Sequence, residues 1–212
     1  MSERFARMAD ALIAGDIEGI KKLTQGALDE GSQAQDILDQ GLLSGMDVVG
    51  KRFKACEMFI PEVIRSAQTM KAAMDILRPH LSESQSAALG KVVIGTVEGD
   101  LHDIGKNLVA MMLEGAGFQV IDLGIDVKPW TFVEAVNEHR PDIVGMSALL
   151  TTTALKMGET INALKEAGVR DQLKVMAGGQ AVSQDFLDEI GGDAYGFNAT
   201  LAVEKAKELM GR

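Results

Sequence analysis

Cysteine is nearly absent from this 212-residue chain, where Cys56 stands alone. A single cysteine closes no internal disulfide and completes no zinc site of paired cysteines, so Cys56 reads as a structural thiol. Aromatic residues are scarce as well, 4% against 46% hydrophobic residues in all. The core must therefore be built from Ala, Val, Ile, Leu and Met, and most of the 12 Met residues are ordinary filler. Positive charge is outnumbered, with 21 Lys and Arg against 31 Asp and Glu, and it forms no block or stripe. That excludes nucleic acid and anionic membrane surfaces as partners, because both need clustered basic residues. No apolar run is long enough to span a bilayer. The opening stretch, MSERFARMADALIAGD, is charged and has no secretory apolar core. A cytoplasmic protein is expected.

What is present falls into two rhythms. Up to about residue 80, apolar residues recur at three- and four-residue spacing. Helices are expected near 2–14, 16–30, 33–53 and 60–78, with Asp16 and Ser32 as N-caps, Pro61 in a first turn and Pro79 as a stop. Four short-linked helices make a small bundle, domain 1–80. The small, polar segment HLSESQSAALG reads as a linker, 81–90. From Lys91 onward, β-branched runs alternate with helical stretches. Strands are expected at 91–96, 118–124, 142–147, 173–178 and 193–197, and helices near 103–116, 129–139, 152–167, 182–190 and 199–210. Five such repeats imply an α/β domain, 91–212, with a five-stranded parallel sheet of flavodoxin-like or Rossmann-like type. Ligands bind such sheets at the carboxyl ends of the strands.

The first loop at that edge reads GTVEGDLHDIGKNLV, 95–109, and contains D-x-H-x-x-G as Asp100, His102 and Gly105. An imidazole that binds metal through one nitrogen usually donates from the other to a carboxylate, and Asp100 stands two residues away. Gly105 would let the chain approach a large flat ligand. Taken alone, the loop reads better as a helix N-terminus with an incidental His, because a single His with a nearby Asp is common. Zinc is disfavoured, because His80 and His139 are the only other histidines and stand in unrelated segments. Asp100 with Asp103 could suggest magnesium, or a phospho-acceptor site lacking a convincing acidic pair. A single protein ligand makes sense where a macrocycle fills the other positions.

The run DLHDIGKN resembles the cobalamin-binding signature of corrinoid proteins in methyltransferase systems, shared with the cobalamin module of methionine synthase. Further segments match in order: SALLTTT (147–153), with Ser147 and Leu149 as an S-x-L element, AGG (177–179) and YGFNA (195–199). GKRFKACEMFIPEVIRSAQTMKAAMDIL (50–77) is similar to the family's helical cap.

The resemblance implies cobalamin, as methylcobalamin or cob(I)alamin, bound with its own base displaced and His102 as the cobalt ligand. It implies a relay of His102, Asp100 and Thr153, where the methionine synthase module has Ser. Protonation of the Asp–His pair would weaken the bond to cobalt, coupling proton uptake to methyl transfer. Leu101, Asp103 and Ile104 belong to the same binding loop. The nucleotide tail would enter a slot lined by Gly105, Ser147, Leu149, Thr151, Gly178, Gly179 and Ala199, with Tyr195 beside it. Phe53 and Ile60 align with residues shielding the upper face. Met70 is placed with them, although its spacing suits bundle core better. YGFNA departs from the many relatives that carry an acidic residue near Asn198, which affects the adenine end. Trp130 reads as helix packing or surface.

The function implied is a methyl carrier, not catalytic alone. It would serve a substrate-specific methyltransferase, an acceptor methyltransferase of the tetrahydrofolate or coenzyme M type, and a reductive activase. The alternatives are the B12 subunit of an adenosylcobalamin-dependent mutase, which the helical cap disfavours, and a B12 storage or delivery protein. A B12-dependent regulator would carry a basic DNA-binding domain, and none is apparent.

Overall fold

The computed structural model describes residues 3–81 and 89–211. The chain divides into two compact units, a helical one of residues 1–88 with 114–117 and an α/β one of residues 89–113 and 118–212. Most of the expected linker lies outside the described residues. No helix among the described residues is long and apolar enough to cross a membrane.

The helical unit contains α1 (Glu3–Ile13), α2 (Ile17–Asp29), α3 (Ala34–Asp36), α4 (Ser44–Lys54) and α5 (Ile60–Leu77). Asp16 caps α2 by accepting the Gly19 N–H at 2.9 Å, an arrangement that satisfies one of the unpaired amides of a first turn. Ser32 does not cap. Gln33 occupies the cap position, and Ser32 Oγ instead accepts from Arg4 at 3.1 Å. The expected single helix over 33–53 contains a π-helical segment, Ile37–Leu43, between α3 and α4. Apolar spacing does not report such an insertion, because the buried face continues through Ile37, Leu38 and Leu42. Two glycines let α1 approach this run closely. A Cβ on Gly41 would stand 2.9 Å from Met8 Sδ, and one on Gly45 3.1 Å from Ala9 Cα. Pro61 sits in the first turn of α5, as its missing N–H allows. A short 3₁₀ turn, Arg78–His80, holds Pro79. Cys56 is exposed and has a left-handed backbone, φ 58°. It packs in no core, which corrects its reading as a structural thiol.

The α/β unit alternates β1 (Lys91–Thr96), α6 (Ile104–Gly115), β2 (Gln119–Asp122), α7 (Pro129–His139), β3 (Ile143–Ser147), α8 (Thr151–Glu166), β4 (Lys174–Gly178), α9 (Gln184–Ile190), β5 (Ala194–Gly196) and α10 (Ala199–Leu209). The strands are parallel in the order β2-β1-β3-β4-β5. Strand alternation sends successive side chains to opposite faces. Val93, Val144 and Val175 belong to a core that also holds Phe132, Val136, Met157, Ile161, Leu164 and Leu187 from α7, α8 and α9. The other face carries Val92, Ile94, Ile143, Gly145 and Met176 toward residues of α6 and α10, and there a cavity of about 290 Å³ remains. The chain leaves β1 toward β2 on one side and later fills β3 on the other. The loops after β1 and β3 therefore diverge, which is where open parallel sheets bind ligands.

Candidate functional site

Both loops at that divergence converge on Asp100. Its carboxylate is buried, with the residue 1% exposed. Oδ1 accepts the His102 backbone N–H at 3.1 Å and meets His102 Nδ1 at 2.7 Å. Oδ2 accepts the Thr153 hydroxyl at 2.6 Å and the Leu149 N–H at 2.8 Å, with the Leu150 N–H further off at 3.4 Å. Burial works against ionisation of Asp100. The bonds from the Thr153 hydroxyl, the His102 and Leu149 amides and the His102 ring outweigh it, holding the carboxyl well below the usual carboxylate range. The structure thus brings together Asp100, His102 and Thr153, from segments 53 residues apart.

His102 occupies the outer end of this chain of contacts. Its side chain is 52% exposed. Nδ1 is committed to Asp100, so the nitrogen left for a ligand is Nε2. Such a pairing fixes the tautomer and raises the basicity of the free nitrogen. The loop backbone is fixed too: Thr96 Oγ1 donates to the His102 carbonyl at 3.0 Å, and Asp103 accepts from Asn107 at the start of α6. Among the described residues, no group of three or more His, Cys, Asp or Glu is positioned to hold a metal ion. A metal at His102 would need its remaining ligands from outside the described residues. On the segments that meet at Asp100, Leu101, Ile104, Ile125, Leu149 and Leu150 are all exposed. This apolar rim suits a flat organic ligand better than water.

Beside the rim lies the cavity between the sheet and helices α6 and α10. Gly105, Ser147, Gly178, Gly179 and Ala199 all line it. Leu149 and Thr151 do not. Leu149 serves through its backbone N–H, while Thr151 is exposed in the first turn of α8. Tyr195 packs edge-to-face on Phe197, with ring centroids 6.4 Å apart, and it is Phe197 that reaches the cavity wall. Asn198 caps α10, accepting the Leu201 N–H at 2.8 Å. Phe53 is half-buried on α4, Ile60 is exposed at the start of α5, and Met70 is fully buried in the helical core. Trp130 is a surface residue at the start of α7.

Much of the cavity lining was missed from sequence: Val92, Ile94, Gly145 and Met176 from the sheet, with Leu108, Val109 and Leu113 from α6. The signal was available. The strand residues follow the two-residue period, and Gly105, Leu108, Val109 and Leu113 follow the helical one.

The glycines test whether a cofactor fits. Gly179 has φ 123°, and a Cβ there would lie 1.9 Å from the Ala148 carbonyl oxygen. A Cβ on Gly178 would lie 2.7 Å from the Gly196 oxygen. Both are required by the protein's own packing. Gly105 differs, since a Cβ there would meet nothing within 4 Å. Protein packing does not explain that glycine, whereas a ligand seated against α6 does. A half-exposed His102 side chain, exposed apolar residues on the neighbouring loops and an apolar slot together fit a large organic cofactor.

Comparison with known proteins agrees. Residues 90–204 match the family model of a B12 binding domain, and residues 4–78 match a second model of the same description. A corrinoid protein of Desulfitobacterium hafniense is 45% identical over 208 residues, covering 97% of this chain and 96% of that protein. A trimethylamine corrinoid protein of Methanosarcina barkeri is 44% identical over 210 residues, covering 98% and 97%. A chain of the methanol:cobalamin methyltransferase complex of Methanosarcina barkeri superposes with a TM-score of 0.90 at 31% identity, over 99% of this chain and 80% of that one. The protein is a member of the corrinoid protein family, built from B12-binding domains, and cobalamin is its cofactor.

Proposed function

We propose that this chain is a methyl carrier that works between two methyltransferases. One takes the methyl group from a small donor, and the other passes it to tetrahydrofolate or to a thiol such as coenzyme M. A bound corrinoid supplies the hard chemistry, a cobalt that accepts and releases a methyl group. The protein's share is ligation, orientation and exclusion of water.

The observation that carries this reading is the bond of His102 Nδ1 to buried Asp100, with the ring half exposed beside an apolar rim. His102 Nε2 would hold the cobalt, and the slot between the sheet and α6 would take the cofactor's nucleotide tail. Asp100 holds Nδ1–H and stabilises positive charge on the ring. Asp100, held ionised by its hydrogen bonds, would keep the ring oriented with Nε2 free for the metal. Thr153 Oγ1 keeps the carboxylate in place. A reductive activase would restore chains whose metal has been oxidised.

The relatives that match almost end to end support methyl transfer. Their names specify trimethylamine and dimethylamine, and the matching solved complex acts on methanol. Choice of donor belongs to the partner in this reading, because relatives matched over almost their whole length differ in the amine that their names specify.

The test is reconstitution. The full chain is loaded with cobalamin, reduced, and mixed with methylamine-type and methanol-type methyltransferases and their donors. Methylation with one of them, followed spectroscopically, is the expected result. Failure with all of them, together with support of a mutase partner when adenosylcobalamin is bound, would replace the carrier with a mutase subunit.

A further inference from the structure

The end of β1, which leads into the loop carrying Asp100 and His102, is stitched to the turn that follows β2. Leu123 N–H donates to the Ile94 carbonyl at 2.8 Å, Thr96 N–H to Gly124 at 3.0 Å, and Val127 N–H to Thr96 at 2.9 Å. At the far end stands Asp126. Its Oδ1 accepts the Gly99 N–H at 2.7 Å, and its own N–H donates to the Asp100 carbonyl at 3.1 Å. Asp126 therefore clasps the peptide units on both sides of the Gly99–Asp100 junction, directly upstream of His102.

The backbone shows that this clasp is imposed. Asp126 has φ 53°, a left-handed conformation that L-residues adopt at a cost and that Asp and Asn tolerate best. Gly99, its partner, has φ 80°. A non-glycine residue in this region persists only where its surroundings over-determine it. The same turn is anchored downstream of His102. Lys106, whose side chain is 2% exposed, pairs with Asp122, and the other oxygen of Asp122 accepts the Gly124 N–H at 2.9 Å. One rigid turn thus spans the chain on both sides of His102.

Resting on the assignment of His102 as the cobalt ligand, we infer that Asp126 is a positioning residue for that ligation. It acts through the backbone of Gly99 and Asp100 and sets where the Asp100 carboxylate meets Nδ1. Without Oδ1, the Gly99 amide loses its partner and the left-handed glycine is free to reorient. Asp100 then approaches the ring less well, and the cobalt–imidazole bond is the first thing to weaken. Small displacements of an orienting group are enough for this, because ligation depends on angle as well as distance.

The experiment uses the full chain loaded with cobalamin and reduced to Co(II). Paramagnetic resonance then reads the nitrogen splitting from an axial imidazole. Wild type and Asp126→Asn, which keeps an oxygen acceptor and tolerates the left-handed backbone, are expected to show that splitting. Asp126→Ala and Asp126→Gly are expected to lose most of it while still binding one cobalamin per chain. Asp126→Gly relieves the backbone strain, so it guards against a misfolded alanine variant. A wild-type splitting in folded Asp126→Gly would overturn the inference, as would equal loss in Asp126→Asn and Asp126→Ala. A wild type with no nitrogen splitting would instead remove the His102 assignment on which it rests.

Discussion

Thr153 and His102 share one carboxylate: Thr153 Oγ1 donates to Oδ2 of Asp100 at 2.6 Å, and His102 Nδ1 meets Oδ1 at 2.7 Å. The first contact is buried and the second only partly so, which makes the hydroxyl the fixed end of this chain of contacts. Thr153→Val keeps the shape and removes the donor. Hydrogen bonds to charged groups contribute about 1.5–3 kcal/mol, and a loss of that size is expected in urea unfolding of the apo-protein. Thr153→Ser should stay close to wild type, because the methyl group makes no part of the bond. Equal stability of the valine variant would mean that the carboxylate is held without Thr153.

Acid should weaken the same network. The folded-state pKa of Asp100 lies below its unfolded value, so its contribution is complete above the ordinary aspartate value of 3.8. It is lost as the pH falls below that value toward the lowered folded one. Comparing unfolding of wild type and Asp100→Asn across pH isolates the effect. The difference between them should be constant near neutrality and shrink as the pH drops into the aspartate range. A difference that does not change on acidification would contradict the ionised, hydrogen-bonded Asp100 described above.

Gly105 and Gly179 separate ligand from packing. Gly179→Ala sets a Cβ 1.9 Å from the Ala148 oxygen at φ 123°, so it should unfold the protein or cost several kcal/mol in apo stability. Gly105→Ala should leave the apo-protein as stable, or raise its stability by about 0.5–1 kcal/mol, because alanine suits a helix better. Cobalamin affinity should nevertheless fall, and further in Gly105→Val. Calorimetric titration and thermal unfolding check the pair. Unchanged affinity in Gly105→Val would take the cofactor away from α6.

The sequence made most of this legible for identifiable reasons. The strands sit within a residue or two of expectation, and β1 to β3 do so because they are short β-branched runs bounded by turn residues, as in VVIG and IVGMS. Asp100, His102 and Thr153 were legible as a set only through resemblance, since nothing in local spacing links residue 153 to residue 100. Side-chain direction was less accessible. Leu149 reads as a slot residue, but its role lies in a backbone N–H, which no side-chain pattern reports. Tyr195 and Phe197 lie on the same short stretch, and the course of the chain after β5 decides which one reaches the cavity. Asp126 went unremarked because aspartate is the ordinary residue of any turn. Its meaning appears only with its φ angle and its two partners.

The central claim is that His102 is the cobalt ligand, and isotope labelling tests it most directly. The full chain is prepared with ordinary and with ¹⁵N-labelled histidine, loaded with cobalamin and reduced to Co(II). The nitrogen splitting in the resonance spectrum should change with the label, and it should vanish in His102→Ala while cobalamin remains bound. A spectrum indifferent to the label, or a splitting that survives in His102→Ala, would contradict the account.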